Sequence, residues 1–371
     1  MFEATRRRVL GALGAGGAAT VAGCSGDSAP TAGTVNTGGT SAAFSGETDV
    51  DRIAADPTDL PDPIDRDEPK RHEVTLETVE HTAEIEDGVT FAGQVPGPMI
   101  RVRQGDTVSL TLENADGNKM QHNVDLHAVY GTGGGAVATT AAPGEANAME
   151  FQAWYPGAYI YHCAVPNLDY HISAGMFGMI LVEPKDGLPE VDHELYFGQH
   201  ELYTDTETGE EGHHGFDFDA MAREDPTYVL LNGEKYAYSA AKHGPAEVEK
   251  GDTVRVFMVD GGPNLSSNFH PIGNVWARAY RDGGLPEEGP FDEYADRNIQ
   301  TMKVPPGSCM TGEMETPVPE RIKLVDHALS RVTRKGLLAE VDVLGGEEKD
   351  VYDPEPEGPG EGPIYGDGEG E

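Results

Sequence analysis

Residues 100–112 read IRVRQGDTVSLTL and residues 246–259 read AEVEKGDTVRVFMV, so the motif GDTV occurs twice, at Gly105 and Gly251. The two copies lie 146 positions apart (251 − 105). Apolar and polar residues alternate around a Gly-Asp turn in both copies, which is the period-two pattern of half-buried antiparallel strands. Each repeat has about the length of one Greek-key β-sandwich. The sequence therefore predicts an all-β chain of two tandem Greek-key β-sandwich domains.

Breaks in this strand pattern set the expected domain limits. The sequence EPKDGLPEV interrupts the pattern near residues 185–191 and is the expected linker. We therefore expect a first domain over residues 70–187 and a second over residues 188–345. Helix is scarce, and its best short candidate is residues 218–223. Residues 346–371 are rich in Gly, Pro and Glu, which predicts a disordered acidic tail.

The N-terminal segment has the pattern of an export signal followed by a tether. Three arginines at positions 6–8 precede an apolar run that is too short to span a bilayer, which is typical of a twin-arginine signal. The run ends in VAGC, which resembles a lipobox, so residues 1–24 form the expected signal and Cys24 the expected lipidation site. An ordinary cleaved signal without lipid is the alternative. Residues 25–69, rich in Gly, Ser, Thr, Pro and Asp, predict a flexible tether. We expect an extracytoplasmic protein anchored through its lipid to the outer face of the cell membrane.

The chain is strongly acidic, with 26 Lys and Arg against 65 Asp and Glu and a formal net charge of −39. A nucleic-acid binder needs a basic face for its phosphate contacts, so this charge excludes nucleic acid as a partner. A solvated acidic surface keeps a protein soluble in high salt, where self-repulsion is screened over short distances. We therefore expect a halophilic source, specifically a halophilic archaeon; an acidic extracellular protein is the alternative. Only three cysteines occur, which excludes a disulfide framework.

A second stretch predicts a metal site. The sequence YHCAVPNLDYHISAGM, from Tyr161 to Met176, places Cys163, His171 and Met176 at close spacing, with His162 directly before the cysteine. Thiolate and thioether are soft ligands, and two His with one Cys and a weak axial Met form the ligand set of a blue-copper electron-transfer site. The stretch therefore predicts copper, with one histidine ligand still to be found.

The missing histidine lies in the segment HNVDLH, which runs from His122 to His127. Alternate side chains of an extended strand face opposite sides. His122 and His127 are five positions apart and should face opposite sides, whereas Asp125 and His127 should share one side. His162 and Cys163 are consecutive, so their side chains should also face opposite sides of a strand. The pattern predicts two metal sites joined through the His162–Cys163 peptide. His122 completes the site of Cys163. His127 and His162 belong to the other site, with Asp125 beside them.

Together, HNVDLH, YHC, HISAGM and the paired repeats resemble copper-containing nitrite reductase, a two-domain cupredoxin family, over about residues 70–345. The resemblance implies two coppers per chain and a homotrimer with an active site between neighbouring subunits. Electrons would enter at a type 1 copper, and nitrite would be reduced to nitric oxide and water at a type 2 copper. The implied type 1 ligands are His122, Cys163, His171 and Met176, and the implied type 2 ligands are His127, His162 and, from the neighbouring subunit, His327 in KLVDHAL.

The resemblance also extends to NFHPIG in the second repeat, where His270 matches an active-site histidine and Ile272 the aliphatic residue packed over the substrate copper. Reduction of nitrite consumes one electron and two protons. We expect Asp125 to deliver one proton and His270 to supply or relay the other, because histidine is the residue type most often used for proton transfer. The electron would pass from Cys163 through His162. A small blue-copper protein or a cytochrome is the electron donor that the resemblance implies.

Two other functions compete with this interpretation. A laccase-like multicopper oxidase needs paired histidines of HxH form around its trinuclear centre, but Ala164 stands where the second histidine of HCH belongs. A non-enzymatic cupredoxin would not need the additional histidines. Two coppers per chain would indicate the reductase, four the oxidase and one the carrier. Among the remaining candidates, Cys309 is expected to be a small buried residue, and His213 and His214 are expected to have a surface or linker role.

Overall fold

A computed structural model describes residues 54–80, 82–86, 89–92, 95–287 and 291–355, together with two short N-terminal strands. The strands up to the predicted linker are β1 (Thr5–Leu10), β2 (Ala43–Phe44), β3 (Arg71–Val79), β4 (Thr82–Glu86), β5 (Val89–Ala92), β6 (Ile100–Arg103), β7 (Thr107–Asn114), β8 (Asp125–Leu126), β9 (Ala146–Gln152), β10 (Gly157–His162) and β11 (Phe177–Glu183). The strands after it are β12 (His193–Leu202), β13 (Gly212–His213), β14 (Tyr228–Leu231), β15 (Ala246–Glu249), β16 (Thr253–Gly262), β17 (Ser267–Ile272), β18 (Trp276–Tyr280), β19 (Asp296–Ile299), β20 (Met302–Val304), β21 (Ser308–Glu315), β22 (Glu320–Asp326) and β23 (Ala339–Leu344).

The described helices are all short. They are α1 (Ala136–Thr139), α2 (Leu168–Ser173), α3 (Phe218–Ala222), α4 (Phe291–Tyr294) and α5 (Ser330–Lys335), with 3₁₀ turns at Thr132–Gly135 and Arg281–Gly283. The helix α3 confirms the one predicted helix, and it begins where the Asp217 side chain accepts the Ala220 N–H at 2.9 Å as an N-cap. No helix among the described residues is long and apolar enough to cross a membrane.

Two pairs of sheets form the two domains. The first domain pairs the sheet β1-β3-β7-β9 with the sheet β6-β11-β10-β8, and the second pairs two six-stranded sheets, β14-β12-β16-β21-β18-β19 and β2-β15-β23-β22-β17-β20. Leu110 of β7 and Ile180 of β11 belong to one buried cluster between the sheets of the first domain. β7 alternates and buries one side, whereas β11 is buried along its whole length. The predicted all-β class and two-domain β-sandwich architecture are confirmed.

The repeated GDTV motif performs the same structural task in both domains. Asp106 Oδ2 accepts the Arg103 N–H at 2.8 Å and lies 2.8 Å from His72 Nε2 at the start of β3. Asp252 Oδ2 accepts the Glu249 N–H at 2.9 Å and lies 2.7 Å from His193 Nε2 at the start of β12. Each aspartate therefore closes its own turn and ties it to the strand that pairs with the one after the turn, β3 beside β7 and β12 beside β16.

A shared interface fixes the two domains relative to each other. An apolar cluster joins Phe177 and Met179 of β11 to Phe257 of β16. Beside it, Arg101 contacts Glu194 at 2.5 Å across the boundary, with side-chain exposures of 0% and 11%. Breaking such a buried ion pair by removing one partner costs about 3–5 kcal/mol. The short connector between β11 and β12 occupies the region where the sequence predicted the linker.

The end of the predicted tether is packed against this interface. Ala54 is 2% exposed, and its N–H donates to Glu234 of the second domain at 3.0 Å. The Pro57 carbonyl accepts the Tyr196 N–H at 2.8 Å. This part of the predicted tether also contacts the first domain, because Arg101 donates to the Pro61 carbonyl at 2.9 Å. β1 lies within the predicted signal and β2 within the predicted tether. The rest of residues 1–53, including Cys24, and the predicted tail from residue 356 lie outside the described residues.

Candidate metal centres

The structure brings His122, Cys163 and His171 together in a buried cluster. Their exposures are 0%, 2% and 1%, and one donor atom from each lies within 4.8 Å of the others. His122 Nδ1 lies 3.9 Å from Cys163 Sγ, and the two imidazole ring centroids are 5.2 Å apart. Met176 belongs to the same apolar cluster as Cys163. Three of the four predicted type 1 ligands therefore bring their donor atoms together, and the fourth, Met176, lies in the apolar cluster around Cys163.

Backbone hydrogen bonds hold the segment that carries three of these residues. The Cys163 N–H donates to the Met176 carbonyl at 3.0 Å, and the Met176 N–H donates to the His171 carbonyl at 3.0 Å. His171 lies on α2, a helix that the sequence analysis did not predict. The Asn123 carboxamide accepts the Ala164 N–H at 2.7 Å and so ties the cysteine strand to the His122 segment. These bonds hold the segment in place and so preorganise the cluster.

The chemistry of the cluster fits a soft metal ion. Both ring nitrogens of His171 are buried without a hydrogen-bond partner, and such orphaned groups are rare unless an ion or water completes them. Burial lowers the pKa of His171 to about 4, so its imidazole is neutral and able to bind a metal. Burial also raises the pKa of the Cys163 thiol, and a metal ion is the usual means of holding a thiolate in such a place.

A second pair of histidines lies on the other side of the cysteine strand. His127 Nε2 and His162 Nε2 are 3.3 Å apart. Two nitrogens bound to one tetrahedral metal ion at about 2.0 Å are also about 3.3 Å apart. The His162 Nδ1–H donates to the Cys163 carbonyl at 3.0 Å, which leaves its Nε2 as the lone-pair atom directed at His127. Burial and the His162 charge lower the pKa of His127. The pair fits metal binding, although it offers two ligands rather than three.

Asp125 lies directly opposite His162 in the pairing of β8 with β10. The Asp125 carboxylate occupies the space that a side chain at position 134 would need, since a Cβ added to Gly134 would stand 1.9 Å from Asp125 Oδ1. Gly134 has φ +54°, which glycine adopts without strain. Any larger residue at this position would therefore displace the Asp125 carboxylate.

The remaining predicted residues meet on the second domain. The ring centroids of His270 and His327 are 5.2 Å apart. His270 Nδ1–H donates to the Gln300 carbonyl, and the His327 N–H donates to the Asn268 carbonyl at 2.8 Å. Ile272, 38% exposed, follows on the same strand. Across the described part of one chain, His127, His162 and His327 form no three-residue group of the kind that His122, Cys163 and His171 form.

The strand assumed for HNVDLH is much shorter than predicted. Only Asp125 and Leu126 form β8, whereas His122 forms an isolated bridge with Ala141. The parity prediction therefore assumed an extended strand that this segment does not form. Its outcome nevertheless agrees with the structure, because His122 is buried and His127 is exposed. On the regular strand β10 the parity does apply, and Cys163, which follows it, is buried where His162 is half-buried.

Two residues near these centres, Glu80 and Asp282, were not predicted from the sequence. Glu80 Oε1 lies 3.0 Å from His122 Nε2, although it is 42 positions away in the chain. Asp282 of the second domain acts electrostatically on His127, and it accepts a hydrogen bond from Ser308. Neither of these positions has a recognisable spacing relative to the histidines, so only the fold brings them there. By contrast, two expectations agree with the structure, because Cys309 is buried and His213 is exposed. His214 differs from its expected surface or linker role: it is buried and contacts the Glu210 carbonyl at 2.6 Å.

Comparison with known proteins places these features in a family context. A family model described as multicopper oxidase matches residues 73–187. The copper-containing nitrite reductase of Neisseria gonorrhoeae is 42% identical over 307 residues, which cover 81% of this chain and 76% of that protein. The solved copper nitrite reductase from Nitrosomonas europaea aligns with a TM-score of 0.65 at 29% identity, over 75% of this chain and 95% of that one. A solved multicopper oxidase aligns with a TM-score of 0.61 at 23% identity, over 74% of this chain and 89% of that one, which shows a shared fold alone.

Proposed function

The chain belongs to the copper-containing nitrite reductases, and on that premise we propose how its own residues divide the reaction. The protein is an oxidoreductase that converts nitrite, one electron and two protons into nitric oxide and water. The laccase-like alternative is less supported, because Ala164 replaces the histidine that a trinuclear centre needs. A fold shared at 23% identity does not offset that absence.

We propose that each chain holds two coppers. His122, Cys163, His171 and Met176 would hold the type 1 ion, and His127 and His162 would hold the type 2 ion together with His327 of the partner subunit. When bound, copper supplies the electron to the second site and a Lewis-acid position for nitrite there. The observation that carries this proposal is the position of Cys163 and His162. They are consecutive residues, and each belongs to a different histidine cluster.

Protons in this proposal come from two side chains of opposite domains. The Asp125 carboxyl group, beside the histidine pair, hydrogen-bonds a nitrite oxygen and passes it one proton. His270 donates its Nδ1–H to the Gln300 carbonyl, which leaves Nε2 as the atom that takes up and releases the second proton. Ile272 would limit the space above the substrate. His127 and His327 are exposed, which leaves the site accessible to a small anion.

The incomplete type 2 ligand set supports a homotrimer. One chain offers His127 and His162 on its first domain, and a separate pair, His270 and His327, on its second domain. A ring of three chains joins each first domain to the second domain of a neighbour, since head-to-tail contacts close into rings. Each of the three resulting interfaces would then hold one complete active site. Light scattering of the copper-loaded protein should give the mass of three chains; a monomer with full activity would contradict this assembly.

The N-terminal motifs and the charge support a cellular setting for this reaction. We propose export by the twin-arginine route and lipid attachment at Cys24, which would hold the enzyme at the outer face of the membrane. Electrons would come from a small blue-copper protein or a cytochrome. The net charge of −39 supports a halophilic archaeal source. Mass spectrometry of the protein purified from its native membrane tests the lipid, because an unmodified Cys24 or an uncut signal would contradict it.

Anaerobic turnover tests the reaction itself. The full-length protein, loaded with copper and supplied with a reduced artificial donor and nitrite, should release nitric oxide. Metal analysis should give two coppers per chain, against four for an oxidase and one for a carrier. A copper-loaded trimer that releases no nitric oxide would overturn the assignment.

A further inference from the structure

We propose that Glu80 positions the type 1 ligand His122 and lowers the reduction potential of the copper held there. Glu80 Oε1 lies 3.0 Å from His122 Nε2, and the side chains of the two residues are 5% and 0% exposed. The inference depends on the proposed function only in assuming that the buried cluster binds copper. Glu80 would act through the histidine, without touching metal or substrate.

The two ring nitrogens of His122 face different partners. Nδ1 lies 3.9 Å from Cys163 Sγ, whereas Nε2 donates its hydrogen to Glu80. This hydrogen bond fixes the tautomer that leaves the Nδ1 lone pair directed into the cluster. A carboxylate behind a ligand histidine also makes the ligand more basic. A more basic ligand stabilises the oxidised ion over the reduced one, which lowers the potential.

The second imidazole of the cluster has no such support. Neither ring nitrogen of His171 has a hydrogen-bond partner among the described residues. The two histidines of the cluster therefore differ: His122 is hydrogen-bonded to a carboxylate, and His171 is not. Glu80 is the single carboxylate that hydrogen-bonds either ring in the described structure, so its removal should change the potential strongly.

Glu80 also holds the loop that carries His122. Its two oxygens accept the Lys119 N–H at 3.0 Å and the Met120 N–H at 3.1 Å, and its own N–H donates to Asn118 Oδ1 at 2.7 Å. A purely structural role would follow from these bonds alone. The reduction potential distinguishes the two roles, because loop anchoring affects stability and Glu80 charge affects the metal.

The chain offers a matched control pair far from the cluster. Glu234 Oε2 lies 2.9 Å from His243 Nε2, with side-chain exposures of 4% and 5%, and Glu234 Oε1 accepts the Ala54 N–H at 3.0 Å. Glu80→Gln and Glu234→Gln therefore each remove one buried carboxylate that contacts a histidine and a backbone N–H. Only the first histidine belongs to the proposed copper site.

Spectroelectrochemical titration of the visible band in the copper-loaded enzyme tests the inference. We expect Glu80→Gln to stay blue and to raise the ratio of reduced to oxidised copper at least tenfold in a fixed redox buffer, which is about 59 mV for one electron. Glu234→Gln should keep the wild-type midpoint. A blue Glu80→Gln enzyme with the wild-type midpoint would refute the inference and leave the proposed function intact.

Two further results separate the possible failures. If Glu80→Gln does not fold or load copper, Glu80→Asp decides, because it keeps the charge and shortens the side chain by one methylene. Its midpoint should then lie above that of wild type, and an unchanged midpoint would refute the inference. A wild-type enzyme that binds copper without the intense visible band would instead overturn the type 1 ligand assignment and the function proposed from it.

Discussion

Replacing Gly134 by alanine tests whether the glycine turn positions Asp125 for proton transfer. A Cβ at Gly134 would stand 1.9 Å from Asp125 Oδ1 and 2.8 Å from the Leu126 carbonyl oxygen. A Cβ at Gly133 would meet nothing closer than Ala136 Cβ at 3.6 Å. Both glycines have left-handed backbones, with φ of +58° at Gly133 and +54° at Gly134, so alanine at either costs about 1–2 kcal/mol in strain. Only the Gly134 variant must also displace the carboxylate.

The size of that displacement sets the expected loss of activity. Normal carbon–oxygen contact begins near 3.4 Å, so Asp125 Oδ1 must move by roughly 1.5 Å. A misplacement of about 1 Å costs on the order of 100-fold in rate, or about 2.7 kcal/mol of transition-state stabilisation. We therefore expect kcat for nitrite to fall about 100-fold in Gly134→Ala and less than about threefold in Gly133→Ala.

Steady-state nitric oxide production with a reduced artificial donor measures this difference. Both variants should keep the visible band and the copper content of the wild type, because the atoms nearest to the added Cβ groups belong to Asp125, Leu126 and Ala136 and not to a predicted copper ligand. Equal rates in the two alanine variants would refute the positioning argument. A loss of copper in Gly134→Ala alone would show that the turn supports the metal site rather than the acid.

Three further predictions follow from single side chains. Asp125→Asn should keep the blue colour and lose most nitrite turnover, because an amide has no acidic proton to deliver; unchanged turnover would remove Asp125 from the mechanism. Cys163→Ala should lose the intense visible band and reduction by the donor, and a variant that stays blue would show the type 1 assignment to be wrong. Burial, only partly opposed by the Ser173 carbonyl, lowers the pKa of His200 to about 4, so the stability linked to this residue is full above about pH 6.5 and is lost as pH falls toward 4. Over that window His200→Asn should flatten the slope of unfolding free energy by up to about 1.4 kcal/mol per pH unit, measured by urea unfolding at several pH values; an unchanged slope would contradict a neutral buried His200.

The features predicted best from the sequence were local patterns that only one kind of structure explains. Alternation around the two GDTV turns predicted the sandwiches, because a strand with one buried side must alternate. The cluster of Cys163, His171 and Met176 was predicted from spacing within one short segment, where few arrangements of the chain are possible. The segment HNVDLH was harder, since its residues hydrogen-bond with distant parts of the chain rather than along one regular strand. The contacts that residues 54–69 make with both domains were out of reach for a related reason, because composition does not reveal which distant backbone groups a segment will meet.

The sequence by itself determined the fold class, the soft donor set and the adjacency of His162 and Cys163, because these depend on residue type and short-range spacing. Only the tertiary structure decided which distant groups support them. It placed Glu80 behind His122 and Gly134 against Asp125, and it left His327 apart from the His127–His162 pair. Contacts between residues far apart in the chain depend on how the sheets and loops pack as a whole, and local residue spacing does not encode that packing.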